Sequence, residues 1–154
     1  MDDELVSKYP DVKGLPSPVL LKGEVVRGFG RGSKVLGIPT ANLPASALEQ
    51  LPQDFGTGIY FGWAMVDDKG PFKMVTSVGY NPYFKNETRT VEPHLLHEFA
   101  EDFYGAQIRV AITTFLRPEW NFDSVEALIA CIKMDIAYAD KALDISPESK
   151  GLLQ

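Results

Sequence analysis

Short apolar runs, each bounded by glycine, proline or acidic residues, recur through the middle of the chain. That pattern predicts an antiparallel β domain. Strands are expected over Val19–Arg27, Gly58–Val66, Phe72–Gly79, Thr90–Phe99 and Ile108–Leu116. Asp67-Asp68-Lys69-Gly70 reads as the hairpin turn between the second and third of them. Ala45–Leu51 reads as a short helix. Beyond Leu116 the period changes. Val125, Leu128, Ile129, Ile132 and Ile136 repeat at helical spacing, so one long C-terminal helix must bury that stripe against the sheet. Asp123, followed three residues later by Glu126, has the form of a capping box and marks the helix start.

The flanks differ from this core. Residues 1–17 are polar, with Pro10 and Pro16 and then Pro18 close by, and are read as an N-terminal extension, poorly ordered or loosely docked. The domain proper is residues 18–145, and 146–154 form a short tail. A chain of 154 residues suits one domain with one sizeable core. No apolar run reaches the length of a membrane span and no signal-peptide core opens the chain, so a cytoplasmic protein without a membrane partner is expected. The single Cys131 excludes an internal disulfide framework and reads as a small helix residue without chemistry. A net charge of −6 argues against a nucleic-acid partner. A monomer is expected.

Against that acidic background, residues 27–44 stand out. Arg27-Gly28-Phe29-Gly30-Arg31-Gly32-Ser33-Lys34 places three alternate glycines among three cations. Glycines reach φ > 0, and successive backbone N–H groups in such a turn form an anion nest suited to phosphate. The segment is neither a Walker A loop nor a dinucleotide fingerprint, since the spacing fits neither. A hairpin loop bearing surface cations is the plainer alternative. Pro39-Thr40-Ala41-Asn42 follows, with two neutral oxygens two residues apart that share one side of an extended segment. Such a pair holds free Mg²⁺ weakly but suits a metal that arrives on ATP; turn hydrogen bonding is the other reading.

Glu92 lies in an apolar run, where a carboxylate is out of place unless it serves or pairs. It is a candidate general base. A free glutamate, pKa about 4.3, is a poor base for an alcohol, so geometry must do much of the work. Pairing with Arg89, Arg117 or Arg109 is the alternative. His94 and His97 fall on a strand, where they point to opposite faces, and no Cys or third His is near enough to suggest zinc.

Taken in order, these motifs resemble the riboflavin kinase (flavokinase) family. Arg27–Pro44 is similar to its signature, including Pro-Thr-Ala-Asn. Thr57–Trp63, Ser77–Pro82, Val91–His97, Asp102–Gly105, Leu116–Glu119 and Phe122–Leu128 follow in the family's order, so the resemblance runs from about Leu20 to about Leu143. It implies a closed six-stranded antiparallel Greek-key barrel with a long C-terminal helix. It implies transfer of the γ-phosphate of MgATP to the 5′-hydroxyl of riboflavin, giving FMN and ADP, with Zn²⁺ or Mn²⁺ as alternative metals. Glu92 then takes the place of the catalytic glutamate. Gly28, Gly30, Gly32, Lys34, Thr40 and Asn42 bind ATP, the last two through the metal. Leu95, His97 and Tyr104 lie beside its base or ribose. Arg117 and Phe122 hold the flavin. Trp120 departs from the family pattern, and its indole either stacks on the isoalloxazine or packs on the barrel. No length remains for the FAD-synthesising domain fused to many bacterial relatives, so the product is expected to stop at FMN. A non-catalytic flavin- or nucleotide-binding barrel and a plain interaction module are the competing classes, and neither needs a base beside a metal pair.

Overall fold

A computed structural model describes residues 2–26, 43–80, 89–97, 105–145 and 147–153. The elements are α1 (Asp3–Ser7), β1 (Lys13–Glu24), α2 (Ala45–Leu48), β2 (Gly58–Val66), β3 (Lys69–Tyr80), β4 (Arg89–Leu95), β5 (Gln107–Arg117) and α3 (Val125–Ile145), then a 3₁₀ segment over Pro147–Leu153. All neighbouring strands are antiparallel, in the order β1-β5-β2-β3-β4. The predicted hairpin is present: Val66 pairs with Lys69 across Asp67 and Asp68. Asp67 adopts φ 52°, a left-handed conformation that Asp tolerates better than most residues. Its carboxylate accepts the Gln107 N–H at 3.0 Å, tying the turn to the start of β5.

The expected closed six-stranded barrel is corrected. Among the described residues the sheet has five strands and stays open between its edges, β1 and β4. A strand edge needs its polar groups satisfied, and here α2 and its flanks take that place. The Gln50 amide bonds both backbone groups of Lys22, accepting at 3.1 Å and donating at 3.0 Å, as a neighbouring strand would. On the other edge, the Leu43 N–H reaches the Val91 carbonyl at 3.4 Å. Gly23 suits this close approach to β1, since a Cβ there would lie a tight 3.0 Å from Pro44 and 3.1 Å from Ala47.

Both faces of the sheet are covered, which explains why β2 is apolar almost throughout. On the inner face Leu21, Tyr60, Ala64, Met74, Val78, Val91, Leu95, Ile108, Val110 and Ile112 form one core with Ala47 and Leu51. On the outer face Phe61, Trp63, Val75, Ala111 and Leu116 pack against Ala139 and Leu143 of α3. The flanks join this outer core. Residues 1–17 are the stretch read as a poorly ordered or loosely docked extension; α1 and the beginning of β1 fall within it, and Tyr9 there is only 4% exposed. Leu5, Tyr9 and Val12 supply the apolar contacts that dock it. The tail docks through buried Leu153 and a 2.7 Å bond from the Trp63 indole N–H to Ser149 Oγ.

Two irregularities in β5 matter for the site. The pairs Phe61–Thr114 and Gly62–Ile112 skip Thr113, and Ile59–Arg117 and Tyr60–Phe115 skip Leu116. The first needs Gly62, whose Cβ would stand 1.9 Å from the Ala111 carbonyl. The second leaves Leu116 and Arg117 both on the helix side. Bulges commonly re-aim side chains in this way. No helix among the described residues is long and apolar enough to cross a membrane.

Candidate active site

Strand alternation in β4 separates packing from chemistry. Val91 and Leu95 enter the inner core, while Glu92 and His94 face the other way, toward α3. There they line a cavity of about 230 Å³. Its sheet side is completed by Ile59, Val75, Ser77 and Arg117, and its helix side by Leu128, Ile132, Asp135 and Ile136. Cross-strand pairing sets Ser77 opposite Glu92 and Val75 opposite His94. Oε1 of Glu92 is shielded from solvent.

The helical stripe therefore does more than pack. The fully buried positions of α3 are Asp135, Ala139 and Leu143. Nearer its start the predicted stripe is open, with Val125 60% and Leu128 37% exposed, and Leu128, Ile132 and Ile136 border the cavity. The start itself shifts by one residue: Ser124, not Asp123, caps the helix, its Oγ accepting the Ala127 N–H at 3.1 Å.

Arg117 is held by a buried fork. Its Nε and Nη2 donate to the two oxygens of Asp135 at 3.0 and 2.8 Å, with both side chains under 5% exposed. Nη1 donates to the Pro118 carbonyl at 3.1 Å. The Tyr9 hydroxyl adds a third bond to Asp135, at 2.7 Å. Burial and then the Asp135 carboxylate push the Tyr9 phenol far up, so it stays a donor. The guanidinium lies 4.6 Å from the Trp120 ring centre and 5.9 Å from that of Phe122. The Trp120 ring stacks on Tyr9, 6.1 Å between centres and 14° from parallel.

Glu92 and Arg117 thus line one cavity, and the rings of Trp120 and Phe122 lie beside the Arg117 guanidinium. Arg89 donates to the Phe55 and Pro52 carbonyls, and Arg109 to the Leu153 carbonyl and Met65 Sδ. Leu95 is fully buried in the inner core, and His97 stacks on Phe72 with 4.3 Å between ring centres. Gly28, Gly30, Gly32, Lys34, Thr40, Asn42 and Tyr104 lie outside the described residues. Among the described residues, no group of three or more His, Cys, Asp or Glu side chains is placed to hold a metal. Burial, then the Asp135 carboxylate, pushes the Cys131 thiol up, which leaves it a poor nucleophile.

Asp135 and Tyr9 were not singled out from the sequence. Asp135 did carry a signal, being an acid three residues after Ile132 on the stripe meant for burial. Tyr9 carried none, since its partner is 126 residues away.

His94 gives the cavity a pH signature. Its Nδ1 is buried with no hydrogen-bond partner among the described residues. Burial lowers its pKa from 6.5 to about 4. The unfolded chain therefore takes up this proton first, and stability falls as pH drops from about 6.5 toward 4. The shift corresponds to roughly 3 kcal/mol once both states are protonated. Thermal or urea unfolding between pH 7 and 4 should show this loss, and His94→Gln should lack it; parallel profiles for the two proteins would contradict the assignment.

The sequence model of flavokinase, riboflavin kinase, matches residues 15–143. The riboflavin kinase of Mus musculus is 54% identical over 133 residues, covering 86% of this chain and 86% of its own length. That of Homo sapiens is 53% identical with the same coverage of both. The crystal structure of riboflavin kinase from Trypanosoma brucei superposes with a TM-score of 0.67 at 32% identity, covering 86% of this chain and 83% of that one. Motif order, fold and these similarities agree, and the chain belongs to the flavokinase (riboflavin kinase) family.

Proposed function

We propose that the cavity beside Glu92 receives the isoalloxazine ring of riboflavin, and that Glu92 takes the proton of the 5′-hydroxyl as it attacks the γ-phosphate of ATP. The overall reaction is the family's: ATP phosphorylates riboflavin, giving FMN and ADP. One observation carries the placement. Glu92 from β4 and Arg117 from β5 line the same cavity as the apolar helix positions Leu128, Ile132 and Ile136. A flat ring needs apolar walls with a few polar groups at one side. At about 230 Å³ the cavity is smaller than the roughly 300 Å³ at which pockets for whole ligands begin, so it suits a ring whose polar chain extends outside.

Phosphoryl transfer asks for little covalent work from the protein. Glu92 orients the hydroxyl and accepts its proton late, as the O–P bond forms. Arg117 contributes positive charge at a fixed place. Three of its five N–H groups are used by Asp135 and Pro118, which leaves two for ligand oxygens. Backbone N–H groups at Gly28, Gly30 and Gly32 cradle the phosphates, with Lys34 and Arg27 or Arg31 opposing their charge. His97 and Tyr104 flank the rest of the nucleotide, while Leu95, buried in the inner core, packs beneath that segment. Thr40 and Asn42 form a donor set of two neutral oxygens, which fits Mg²⁺ already carrying phosphate ligands. When bound, that ion offsets phosphate charge.

Incubation with riboflavin and MgATP alone, with the flavins separated, should yield FMN and no FAD. FAD in that mixture, or no FMN, would contradict the reading. Asn42→Ala should raise the KM for MgATP by on the order of tenfold or more while changing riboflavin affinity little, in line with the loss of a metal-orienting ligand. Equal losses of both substrates would remove Asn42 from the metal.

A further inference from the structure

We infer that Tyr9, which precedes the residues matched to the family, is a positioning residue of the flavin site. It lies ahead of the matched span, residues 15–143, yet it is only 4% exposed and touches the site's supports twice. Its hydroxyl donates to Asp135 Oδ1 at 2.7 Å, the same oxygen that accepts from Arg117 Nε at 3.0 Å. Its ring backs Trp120, whose other neighbour is the Arg117 guanidinium at 4.6 Å. A second edge, against Tyr138 of α3 at 5.0 Å and 62°, fixes the phenol's angle.

Packing alone does not account for this arrangement. A leucine or phenylalanine would fill the outer core equally well, but neither could reach the Asp135 carboxylate. Asp135 is buried and must be satisfied on every side. The phenol holds Oδ1 from one direction and Arg117 from another, so the guanidinium has one stable seat. Trp120 meets an anchor that comes from outside the matched span. The N-terminal segment thus backs the end of β5 at Arg117 and the loop residue Trp120 that follows it.

The inference rests on the flavin occupying the Glu92 cavity, and a paired control separates the two. Riboflavin binding is titrated by flavin fluorescence, and KM is measured for each substrate. Tyr9→Leu should raise the riboflavin Kd by on the order of tenfold, the scale of coupling between contiguous sites. Tyr9→Phe, which keeps the stack and loses the hydroxyl bond, should raise it less. The KM for MgATP should stay within about twofold in both, a split that general loosening of the fold would not produce. An unchanged riboflavin Kd in Tyr9→Leu, or an equal rise in both substrates, overturns the inference. If Tyr9→Leu does not fold, Tyr9→Phe decides: a raised riboflavin Kd with unchanged MgATP KM supports it, and an unchanged Kd overturns it. Ile132→Trp, which fills the cavity, is the control. Loss of riboflavin binding there with no effect at Tyr9 removes only the Tyr9 role. Retained binding in Ile132→Trp removes the cavity reading and this inference together.

Discussion

Replacing Glu92 with Gln lowers turnover by about 10²–10⁴-fold, the usual contribution of a positioned acid–base group. Riboflavin affinity changes little, because the amide keeps the size of the side chain and can still accept a hydrogen bond. It cannot take the proton. The lost free energy should therefore fall on kcat and on kcat/KM together, with KM nearly constant. Single-turnover measurements with excess enzyme would separate this from slow product release. Unchanged turnover would remove Glu92 from the base role, and a large rise in riboflavin Kd would make it a binding group instead.

Replacing Asp135 with Ala destabilises the fold by about 3–5 kcal/mol, the cost of stranding one member of a buried ion pair. Arg117 would lose its fork, keep only its bond to the Pro118 carbonyl, and remain enclosed by Trp120 and Phe122. Urea denaturation reads the loss as a lower midpoint at unchanged slope. The double replacement Arg117→Met with Asp135→Leu sharpens the test. Removing both charges, with Tyr9→Phe added so that no buried hydroxyl is left unpaired, should recover most of the stability, since buried pairs are often no better than apolar packing of the same volume. It should not recover riboflavin binding. A combined variant that regains stability and also binds flavin normally would make the pair purely structural.

The contrast between Glu92 and Asp135 shows what the sequence made legible. Both are acids within apolar patterns, yet only Glu92 was singled out, because it sits in a short apolar run and falls where the resembled family places its catalytic glutamate. On the helix, five apolar positions defined the stripe, and Asp135 beside Ile136 passed as a flank. Its burial depends on the helix's rotation against the sheet, which is a tertiary quantity. The strands over β2, β3 and β5, the Asp67–Asp68 turn and α2 were legible, being local, whereas β1 starts at Lys13, six residues ahead of the expected Val19. Closure of the sheet was not. Pairing between distant edges is set by what fills the gap, and a single side chain, Gln50, stands in for a strand along Lys22. The docking of Tyr9 was equally hidden, since polar neighbours and prolines describe an extension and say nothing of where one ring in it lands.

The placement of the flavin is the claim on which the chemistry depends, and a crystal structure of the chain with riboflavin tests it most directly. The isoalloxazine should lie between Val75 and Ile132, with the 5′-oxygen at hydrogen-bond distance from the Glu92 carboxylate, roughly 2.6–3.2 Å. A flavin seated elsewhere, for example in the groove lined by Leu15, Tyr60 and Phe115, with Glu92 out of reach of its ribityl chain, would contradict the account.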